Sequence, residues 1–307
     1  MSNKHNETIN RFSGEDHGNV IAIGNFDGFH LGHCKIIDTL KSISKDMKLA
    51  SMIMTFTPNP KVYFNPGFQL ISTDEQKKRL LESQGVDKVS IINFETIVNM
   101  TDERFLIDIL LSKYRMKHIV MGENFRFGKG RAGDISLLKE SSMRYGFGFT
   151  VVQPVMMDGI RISSTRVREQ LAGARIEESN RMLGRLYNIE GIIVEGDRLG
   201  RQLGFPTINI STGNTILPDG VFKSSVEIEG ERFKSISYIG FRPTFKGREK
   251  KVESHIFDFN REVYGKQVTL YFERKIRDEM KFESQNSLIK QIHLDIKNLE
   301  VDKGNIF

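Results

Sequence analysis

The stretch AIGNFDGFHLGHCKIID, Ala22 to Asp38, connects a β-rich run to a helical pattern through a polar, glycine-rich turn. The run that enters it, NVIAIGN, is typical of a buried strand, and apolar residues such as Ile36 and Leu40 then recur at helical spacing. A strand that turns directly into a helix is the start of a βαβ unit. The stretch therefore predicts an α/β sheet, with His30 and His33 at the beginning of a helix.

The first half of the chain continues this alternation. The further strand-like runs are LASMIMTF, KVSIINF, KHIVMG and FTVVQP, and the helical runs are STDEQKKRLLES, TDERFLIDILLSKY and DISLLKESSMRYG. Capping-box chemistry from Ser72 to Glu75 marks the start of the second helix. LASMIMTF is nearly continuous in apolar residues, as expected of a strand buried on both faces of a parallel sheet. We predict a doubly wound parallel α/β domain over residues 1–183, closed by short helices at Ser164–Leu171 and Ile176–Leu183.

The second half has a different pattern, because the helical period disappears after Gly184. Its β-rich runs are NIEGIIVEG, GVFKSSVEIEG, ERFKSISYIG, VESHIFDF and QVTLYFERK, with turn signals such as PDG and YGK between them. Several short strands at this spacing predict a small antiparallel β-barrel over residues 184–307. Apolar residues at helical spacing between Ser284 and Lys297 predict a final helix that packs on the barrel.

Composition and charge narrow the class of protein. The 307 residues suit two domains, and 45 Lys and Arg against 39 Asp and Glu give a net charge of +6. A surplus of this size fits a well-solvated surface, a nucleic-acid partner or a small polyanionic substrate such as a nucleotide. Since no run of basic residues stands out, we favour the small substrate and expect no nucleic-acid partner.

The single cysteine, Cys34, excludes an intrachain disulfide and a cysteine zinc cluster. The N-terminal segment lacks the apolar centre of a signal peptide, and no apolar run approaches the roughly 18 residues that a membrane span requires. We therefore expect a cytoplasmic protein with no membrane partner.

Three polar stretches fall at the ends of predicted strands, where open α/β sheets bind their ligands. In the first, GNFDGFHLGH, glycines allow close approach of the backbone, and the helix that follows favours anions at its N-terminus. His30 and His33 can both donate ring N–H bonds to phosphate oxygens. We assign phosphate binding in this stretch to the two histidines and to Gly24, Phe26, Asp27, Gly28 and Gly32.

The other two stretches follow later strands. GENFRFGKGRAGD, Gly122 to Asp134, combines four glycines with aromatic and basic residues, which suits a loop over a ring and phosphates. RISSTRVR offers hydroxyls, helix caps and guanidinium groups for phosphate, namely those of Ser163, Ser164, Thr165, Arg166 and Arg168. Each motif alone fits an ordinary turn, surface loop or helix cap. All three at strand ends of one domain favour a nucleotide site.

The β-rich half carries a second constellation. GDRLGRQLGFPTIN, Gly196 to Asn209, is a glycine-rich turn followed by Pro-Thr-x-Asn, and it is neither a Walker loop nor a protein-kinase loop. The oxygens of Thr207 and Asn209 are hard ligands suited to Mg²⁺ carrying ATP phosphates. Glu253 shares a strand face with His255 and can take a proton from an attacking hydroxyl. Taken singly, a strand glutamate is usually solvated and GFPT is usually a turn. The glycines assigned to ATP are Gly196, Gly200 and Gly204.

The first constellation resembles the nucleotidyltransferase superfamily, through H-x-G-H at His30–His33 and I-S-S-T-x-x-R at Ile162–Arg168. IGNFDGFHLGH and GENFRFGKGRAGD resemble more narrowly the adenylyltransferase half of bacterial FAD synthetases. FTPNP, Phe56 to Pro60, resembles that family's segment after the second strand. Asn59 stands where the family usually has His, and asparagine can hydrogen-bond but carries no charge. The resemblance implies flavin contacts from Asn59, Asn124, Phe125 and Arg126.

The second half resembles the riboflavin kinase domain along nearly its whole length, through LGR, GD-x-x-GR-x-LGFPT-x-N, PDGVF, RPTF, VE-x-H-x-x-DF and YGK. The resemblance implies that Thr207 and Asn209 hold Mg-ATP and that Glu253 activates the 5′-hydroxyl of riboflavin. From their residue type alone, Arg242 in IGFRPTF and Arg277 in RKIRDEM are candidates for phosphate or ring recognition. Phe241 and Ile208 depart from the family, which usually has Thr at the first position and Ala or Ser at the second.

Together the halves resemble the bifunctional riboflavin kinase/FMN adenylyltransferase family from about residue 18 to 300. The resemblance implies ATP-dependent phosphorylation of riboflavin to FMN, followed by adenylylation of FMN to FAD with release of pyrophosphate. One alternative is a paralogue with only adenylyltransferase activity, suggested by Asn59 and Phe241. Another is a flavin-sensing regulator that binds RNA, which the lack of an RNA-recognition motif disfavours.

Overall fold

The computed structural model describes residues 7–11, 17–196, 200, 203–244 and 247–301, with the backbone alone for 242–244, 247–249, 300 and 301. The chain divides into two compact units, Met1–Ser164 and Thr165–Phe307. The domain boundary predicted between residues 183 and 184 stays a prediction. In the described part of the chain, no helix combines the length and apolarity that crossing a membrane requires.

The first unit is built on a six-stranded sheet in the order β1-β4-β3-β2-β5-β6. Five of its strands run parallel, and β1 is added antiparallel to β4 at one edge. This sheet confirms the predicted parallel α/β architecture, although the edge strand β1 was not predicted. The strands are β1 (Glu7–Asn10), β2 (Asn19–Ile23), β3 (Ala50–Thr57), β4 (Lys88–Asn93), β5 (Met116–Gly122) and β6 (Gly148–Val152).

Helices cover both faces of this sheet. Alternate residues of β2 enter different hydrophobic clusters: Ile21 packs with the helix Phe105–Lys113, and Ala22 packs with α1. The predicted helix over 101–114 therefore exists, but most of it is π-helical. The helical elements are α1 (Leu31–Met47), α2 (Pro60–Phe64), α3 (Asp74–Glu82), α4 (Asp102–Arg104), the π-helix Phe105–Lys113, α5 (Ile135–Tyr145) and two short 3₁₀ turns, Phe94–Thr96 and Lys129–Arg131; a small hairpin, β7 (Met156–Met157) and β8 (Ile160–Arg161), follows β6.

The start of α3 corrects one prediction. Thr73 is the N-cap: its hydroxyl accepts from the Gln76 backbone N–H at 3.2 Å, and the Gln76 side chain accepts from the Thr73 N–H at 2.9 Å. The predicted capping box from Ser72 to Glu75 is therefore wrong by one residue. Ser72 does not complete a capping box, because its N–H, which would donate to the Glu75 side chain, donates to the buried carboxylate of Asp27 at 3.3 Å.

A buried lysine, paired with a partly exposed aspartate, attaches α3 to the end of β3. The Lys77 ammonium lies 2.9 Å from both the Asp74 carboxylate and the Phe56 carbonyl, with its side chain only 4% exposed. The Thr57 hydroxyl donates to the other carboxylate oxygen of Asp74 at 2.7 Å. Because these groups satisfy one another, the last residues of β3 are held in a fixed position against α3.

The second unit contains a closed barrel in the order β10-β13-β12-β11-β14-β9, in which every pairing is antiparallel. The predicted barrel is thus confirmed, with one additional strand, β10, inside the FPTIN segment. The strands are β9 (Tyr187–Val194), β10 (Ile208–Thr212), β11 (Gly220–Ile228), β12 (Glu231–Thr244), β13 (Gly247–Ile256) and β14 (Gln267–Arg277); the helices are α6 (Ser164–Ala172), α7 (Ile176–Leu183) and the predicted terminal helix α8 (Gln285–Val301).

Alternation along β13 places its side chains on opposite faces of the barrel wall. Val252, Ser254 and Ile256 are buried in the interior, whereas Glu253 and His255 are half-buried on the outer face. The interior combines large aromatic residues with a hydrogen-bonded group of buried serines: Ser224, Ser235, Ser237 and Ser254. The period of two therefore directs the candidate base away from the core.

The ion pair of α3 leads to a stability prediction. Replacing Lys77 with Met leaves Asp74 and the Phe56 carbonyl without this donor, and we expect the free energy of unfolding to fall by about 1–3 kcal/mol. Lys78→Met is the matched control, because Lys78 pairs with Glu7 at the surface, is 36% exposed, and should cost under ~1 kcal/mol. Urea unfolding followed by far-UV circular dichroism measures both. Equal losses in the two variants would contradict the role of the buried Lys77.

Candidate active sites

The loop between β2 and α1 is held in a constrained conformation. Phe26 and Phe29 have positive φ values of 49° and 37°, and Gly28 has a φ of 76°. Positive φ is unfavourable for residues with a Cβ, so the two buried phenylalanines are held there by packing. A Cβ on Gly28 would lie 2.7 Å from the Ile71 side chain, and only glycine fits.

The buried carboxylate of Asp27 anchors this loop. It accepts from the backbone N–H groups of Ile71 and Ser72, at 2.9 and 3.3 Å. The Asp27 carbonyl accepts from the Ser164 hydroxyl at 2.8 Å. Two of the predicted phosphate-site residues, Asp27 and Ser164, are therefore joined, and the carboxylate of Asp27 shapes the loop through backbone contacts.

The two histidines lie side by side where α1 begins. Their rings are stacked with centroids 3.7 Å apart and planes at 15°, and the edge of the Phe26 ring supports His33 at 5.2 Å. A Cβ on Gly32 would lie 3.0 Å from the His30 ring, which explains the glycine between the two histidines. The N-terminus of this 17-residue helix favours an anion at the same place. The arrangement brings two imidazole rings and a helix N-terminus together, so the phosphate role predicted from sequence stays a prediction with suitable geometry.

A cavity of ≈ 620 Å³ opens at the carboxyl ends of the parallel strands. It brings together four of the residues predicted from sequence, at the ends of β2 and β5: Gly24, Asn124, Phe125 and Arg126. Its walls are largely aromatic, with Phe125 stacked on Phe127 at 5.5 Å and Phe56 edge-on to Phe94 at 6.1 Å. Aromatic walls with a few polar groups suit a flat ring system.

Asn59 has a local structural role beside this cavity. Its buried side chain caps α2 by accepting from the Lys61 backbone N–H at 3.0 Å. Pro60, Lys61 and Phe64 of α2 line the cavity. Asparagine is a strong N-cap residue, so this departure from the family pattern fixes the direction of a short helix in the cavity wall.

The RISSTRVR motif is divided between the two units. Ser163 and Ser164 belong to the first unit, and Thr165, Arg166 and Arg168 lie on α6 in the second. Thr165 is exposed and both arginines are half-buried. The helix predicted after this motif begins at Ser164, and the capping role of its hydroxyl-bearing residues stays a prediction.

The second site lies on the outer face of the barrel, where α8 covers a cavity of ≈ 310 Å³. Glu253 and His255 project from β13, and Tyr238, the cross-strand neighbour of Glu253, lies beside them on β12. Met280, Phe282 and two α8 residues, Leu288 and Ile292, complete an apolar lining. A largely apolar cavity with a few polar groups, the Glu253 carboxylate among them, suits a flat apolar ligand that carries a hydroxyl group.

Thr207 also lines a neighbouring cavity of ≈ 510 Å³. Pro206 and Ile208 form one side of this second cavity, and the loop that includes Arg261 forms the other. Arg261 makes a two-pronged ion pair with Glu231, at 2.9 and 3.2 Å, and this lowers the pKa of the Glu231 carboxyl from its ordinary value. The hydroxyl-bearing residue Thr207 is thus on the boundary between two cavities.

Two glycines allow close backbone approach to Thr207 and Asn209, and of these two residues only Thr207 lines the cavities. A Cβ on Gly196 would overlap the Asn209 amide at 2.1 Å, and one on Gly200 would lie 3.1 Å from the Thr207 hydroxyl. Asn209 is in turn the cross-strand neighbour of Glu253. Gly204, also predicted here, has a φ of 86°. Within the described ranges, no group of three or more His, Cys, Asp or Glu side chains forms a metal cage.

The two arginines predicted on this unit have different outcomes. Arg277 lines the ≈ 310 Å³ cavity, but its guanidinium is paired with the buried Asp295 at 2.9 and 3.2 Å and lies over the Phe282 ring. The side chain of Arg242 lies outside the described residues. Phe241 is exposed, and the Lys250 ammonium lies over its ring at 5.1 Å.

Comparisons with known proteins identify the family. A model of FAD synthetase matches residues 13–166, and a model of riboflavin kinase matches residues 183–301. The bifunctional riboflavin kinase/FMN adenylyltransferase of Escherichia coli (strain K12) is 36% identical over 290 residues, covering 91% of this chain and 90% of the relative. The chain belongs to the bifunctional riboflavin kinase/FMN adenylyltransferase family. The protein of that name from Buchnera aphidicola subsp. Schizaphis graminum is 35% identical over 286 residues, covering 91% and 92%.

One solved structure has the same fold over nearly the whole chain. A crystal structure described as a macrolide-efflux protein from Streptococcus pneumoniae matches with a TM-score of 0.84 and 28% identity, covering 94% of this chain and 96% of that one. The likeness extends over both the α/β and the barrel units. It therefore supports the same two-part architecture that the two family models define.

The sequence predicted the polar residues of both sites better than it predicted the apolar residues of the cavity walls. Phe64 and Phe94 in the first cavity, and Met280 and Phe282 in the second, were not predicted. The aromatic cluster VYFNPGF, which contains Phe64, was a usable signal because so many aromatic residues rarely share an exposed turn. Met280 and Phe282 lie between β14 and α8, where the sequence has no comparable pattern.

The fixed loop of the first site leads to a second stability prediction. Gly28→Ala combines positive φ with a steric overlap, and we expect the free energy of unfolding to fall by about 3 kcal/mol. Gly85→Ala is the control, because Gly85 has a φ of 68° with nothing within 4 Å of the added Cβ, and should cost about 1 kcal/mol. Far-UV circular dichroism in urea suits this chain, which has no tryptophan. A Gly28 variant as stable as the Gly85 variant would contradict the steric account.

Proposed function

We propose that the barrel unit converts riboflavin and ATP to FMN and ADP, and that the α/β unit then converts FMN and ATP to FAD and pyrophosphate. The observation that carries this proposal is the presence of two separate sites, one in each unit. One has a carboxylate in an apolar cavity, and the other has a histidine pair at a helix N-terminus. The first suits activation of a hydroxyl, and the second suits binding of a polyphosphate.

In the kinase site, we assign riboflavin to the ≈ 310 Å³ cavity and ATP to the ≈ 510 Å³ cavity. Glu253 takes the proton of the riboflavin 5′-hydroxyl while the hydroxyl oxygen attacks the γ-phosphorus of ATP. The bond between the γ-phosphorus and the bridging oxygen breaks, and ADP leaves. Removing this base should therefore slow FMN formation by about 10²–10⁴-fold. Thr207, on the boundary of the two cavities, is where the reacting groups would meet.

The residues around Thr207 fit a divalent cation that accompanies ATP. The Thr207 hydroxyl and the Asn209 amide supply hard oxygen donors, and the missing Cβ atoms of Gly196 and Gly200 let the backbone pack closely against these two side chains. Two protein ligands without an acidic cage suit Mg²⁺, which keeps waters and phosphate oxygens as its other ligands. We therefore assign Mg²⁺ to Thr207 and Asn209. When bound, it would neutralise charge on the phosphates.

In the adenylyltransferase site, we assign the isoalloxazine ring of FMN to the aromatic ≈ 620 Å³ cavity, beside Asn124, Phe125 and Arg126. His30 and His33 donate to ATP phosphate oxygens, next to the N-terminus of α1. A phosphate oxygen of FMN then attacks the α-phosphorus, and the bond to pyrophosphate breaks. Donors fixed in advance stabilise the charge that develops, so no covalent enzyme intermediate is required.

Separate substitutions test the division between the sites. We expect the double variant His30→Ala, His33→Ala to accumulate FMN from riboflavin and to lose FAD formation by at least about 10²-fold, because the phosphate donors are removed. His17→Ala, an exposed histidine of the same unit, should behave as wild type. Chromatography of the flavins measures both products. Loss of FMN together with FAD in a folded double variant would contradict separate sites.

The converse substitution is Glu253→Gln. It should reduce FMN formation by about 10²–10⁴-fold and leave the conversion of supplied FMN to FAD unchanged. Glu229→Gln, at an exposed turn of the same barrel, is the control. If wild-type protein converts supplied FMN but never riboflavin, the chain is a paralogue with one working half.

A further inference from the structure

A second side chain on the outer face of β13 lies beside the assigned base. The Nδ1 of His255 is 2.7 Å from the carbonyl oxygen of Pro206. A carbonyl oxygen can only accept a hydrogen bond, so Nδ1 carries the proton and donates. This bond fixes both the orientation of the ring and the position of the Pro206 carbonyl.

Aromatic contacts hold the same segment from several sides. Phe205 meets the His255 ring nearly perpendicularly, with centroids 5.7 Å apart, and meets His293 of α8 at 5.0 Å. Phe257 supports His255 from further along the chain at 5.5 Å. The Phe205 backbone N–H also donates to the Gly200 carbonyl at 2.8 Å. Edge-to-face pairs of this kind add specific geometry to burial, so the segment 205–206 is held between β13, α8 and the glycine-rich turn.

The position of Pro206 matters because Thr207 follows it directly and lines both kinase cavities. A shift of the Pro206 carbonyl would move the Thr207 hydroxyl out of the boundary between them. We propose that His255 is a positioning residue for phosphoryl transfer, which acts through the Pro206 carbonyl to hold Thr207 between riboflavin and ATP. This role rests on the proposed kinase function of the barrel unit.

The test compares two amides at this position. The amide nitrogen of Asn can take the place of Nδ1, whereas that of Gln takes the place of Nε2. We expect His255→Asn to keep the KM for ATP in FMN formation within about threefold of wild type. His255→Gln and His255→Phe should raise it roughly tenfold, with the KM for riboflavin within about threefold, because one hydrogen bond is lost. Steady-state FMN formation by the full chain gives these values.

Conversion of supplied FMN to FAD is the internal control and should be unchanged in all three variants. An unchanged KM for ATP in the Gln and Phe variants would overturn the proposal. A rise in the KM for riboflavin in all three variants, including His255→Asn, would also overturn it, because His255 would then be a flavin contact. If the Phe variant fails to fold, the comparison of Asn with Gln decides. Absence of FMN formation by the wild type would instead refute the kinase function itself.

Discussion

The adenylyltransferase half depends on one buried carboxylate, that of Asp27. It satisfies two backbone N–H groups in the turn before α3, and the carbonyl of the same residue accepts from Ser164. The histidine loop is thereby fixed to α3, and α3 is fixed to the end of β3 through Lys77. The histidine pair and the aromatic cavity are therefore parts of one hydrogen-bonded framework. Such preorganisation is what a reaction catalysed by positioning requires.

In the kinase half, the regular strand β13 fixes the positions of the side chains. The period of two along β13 directs Ser254 into the barrel and Glu253 out of it, and antiparallel pairing places Asn209 opposite Glu253. The carboxylate and the amide thus come together through strand register, while the segment containing Thr207 approaches from an irregular turn. Under the proposed function, rigid strands carry the reactive groups, and irregular segments form the cavities around them.

The sequence predicted what periodicity and local chemistry determine. Strand and helix alternation gave the α/β sheet, and the loss of helical period gave the barrel. The edge strand β1 was missed because ETIN is short and polar, and β10 because its strand begins directly after Pro206 and Thr207 of a turn motif. The capping box was placed one residue early because both S-x-x-E and T-x-x-Q fit the pattern, and only the contact with Asp27 distinguishes them. The residues of the cavity walls were not predicted because they come from segments distant in sequence. Phe56 and Phe94, for example, meet only in the folded protein.

The most direct test of the account follows individual phosphorus atoms of ATP with the wild-type chain, riboflavin and Mg²⁺. With ATP labelled at the γ-phosphorus, the label should appear first in FMN and then in FAD. With ATP labelled at the α-phosphorus, it should appear in FAD and never in FMN, because the second transfer moves the adenylyl group. Chromatography of the labelled flavins over time distinguishes the two. Absence of γ-label from FMN, or the presence of α-label in it, would contradict two successive transfers at two sites.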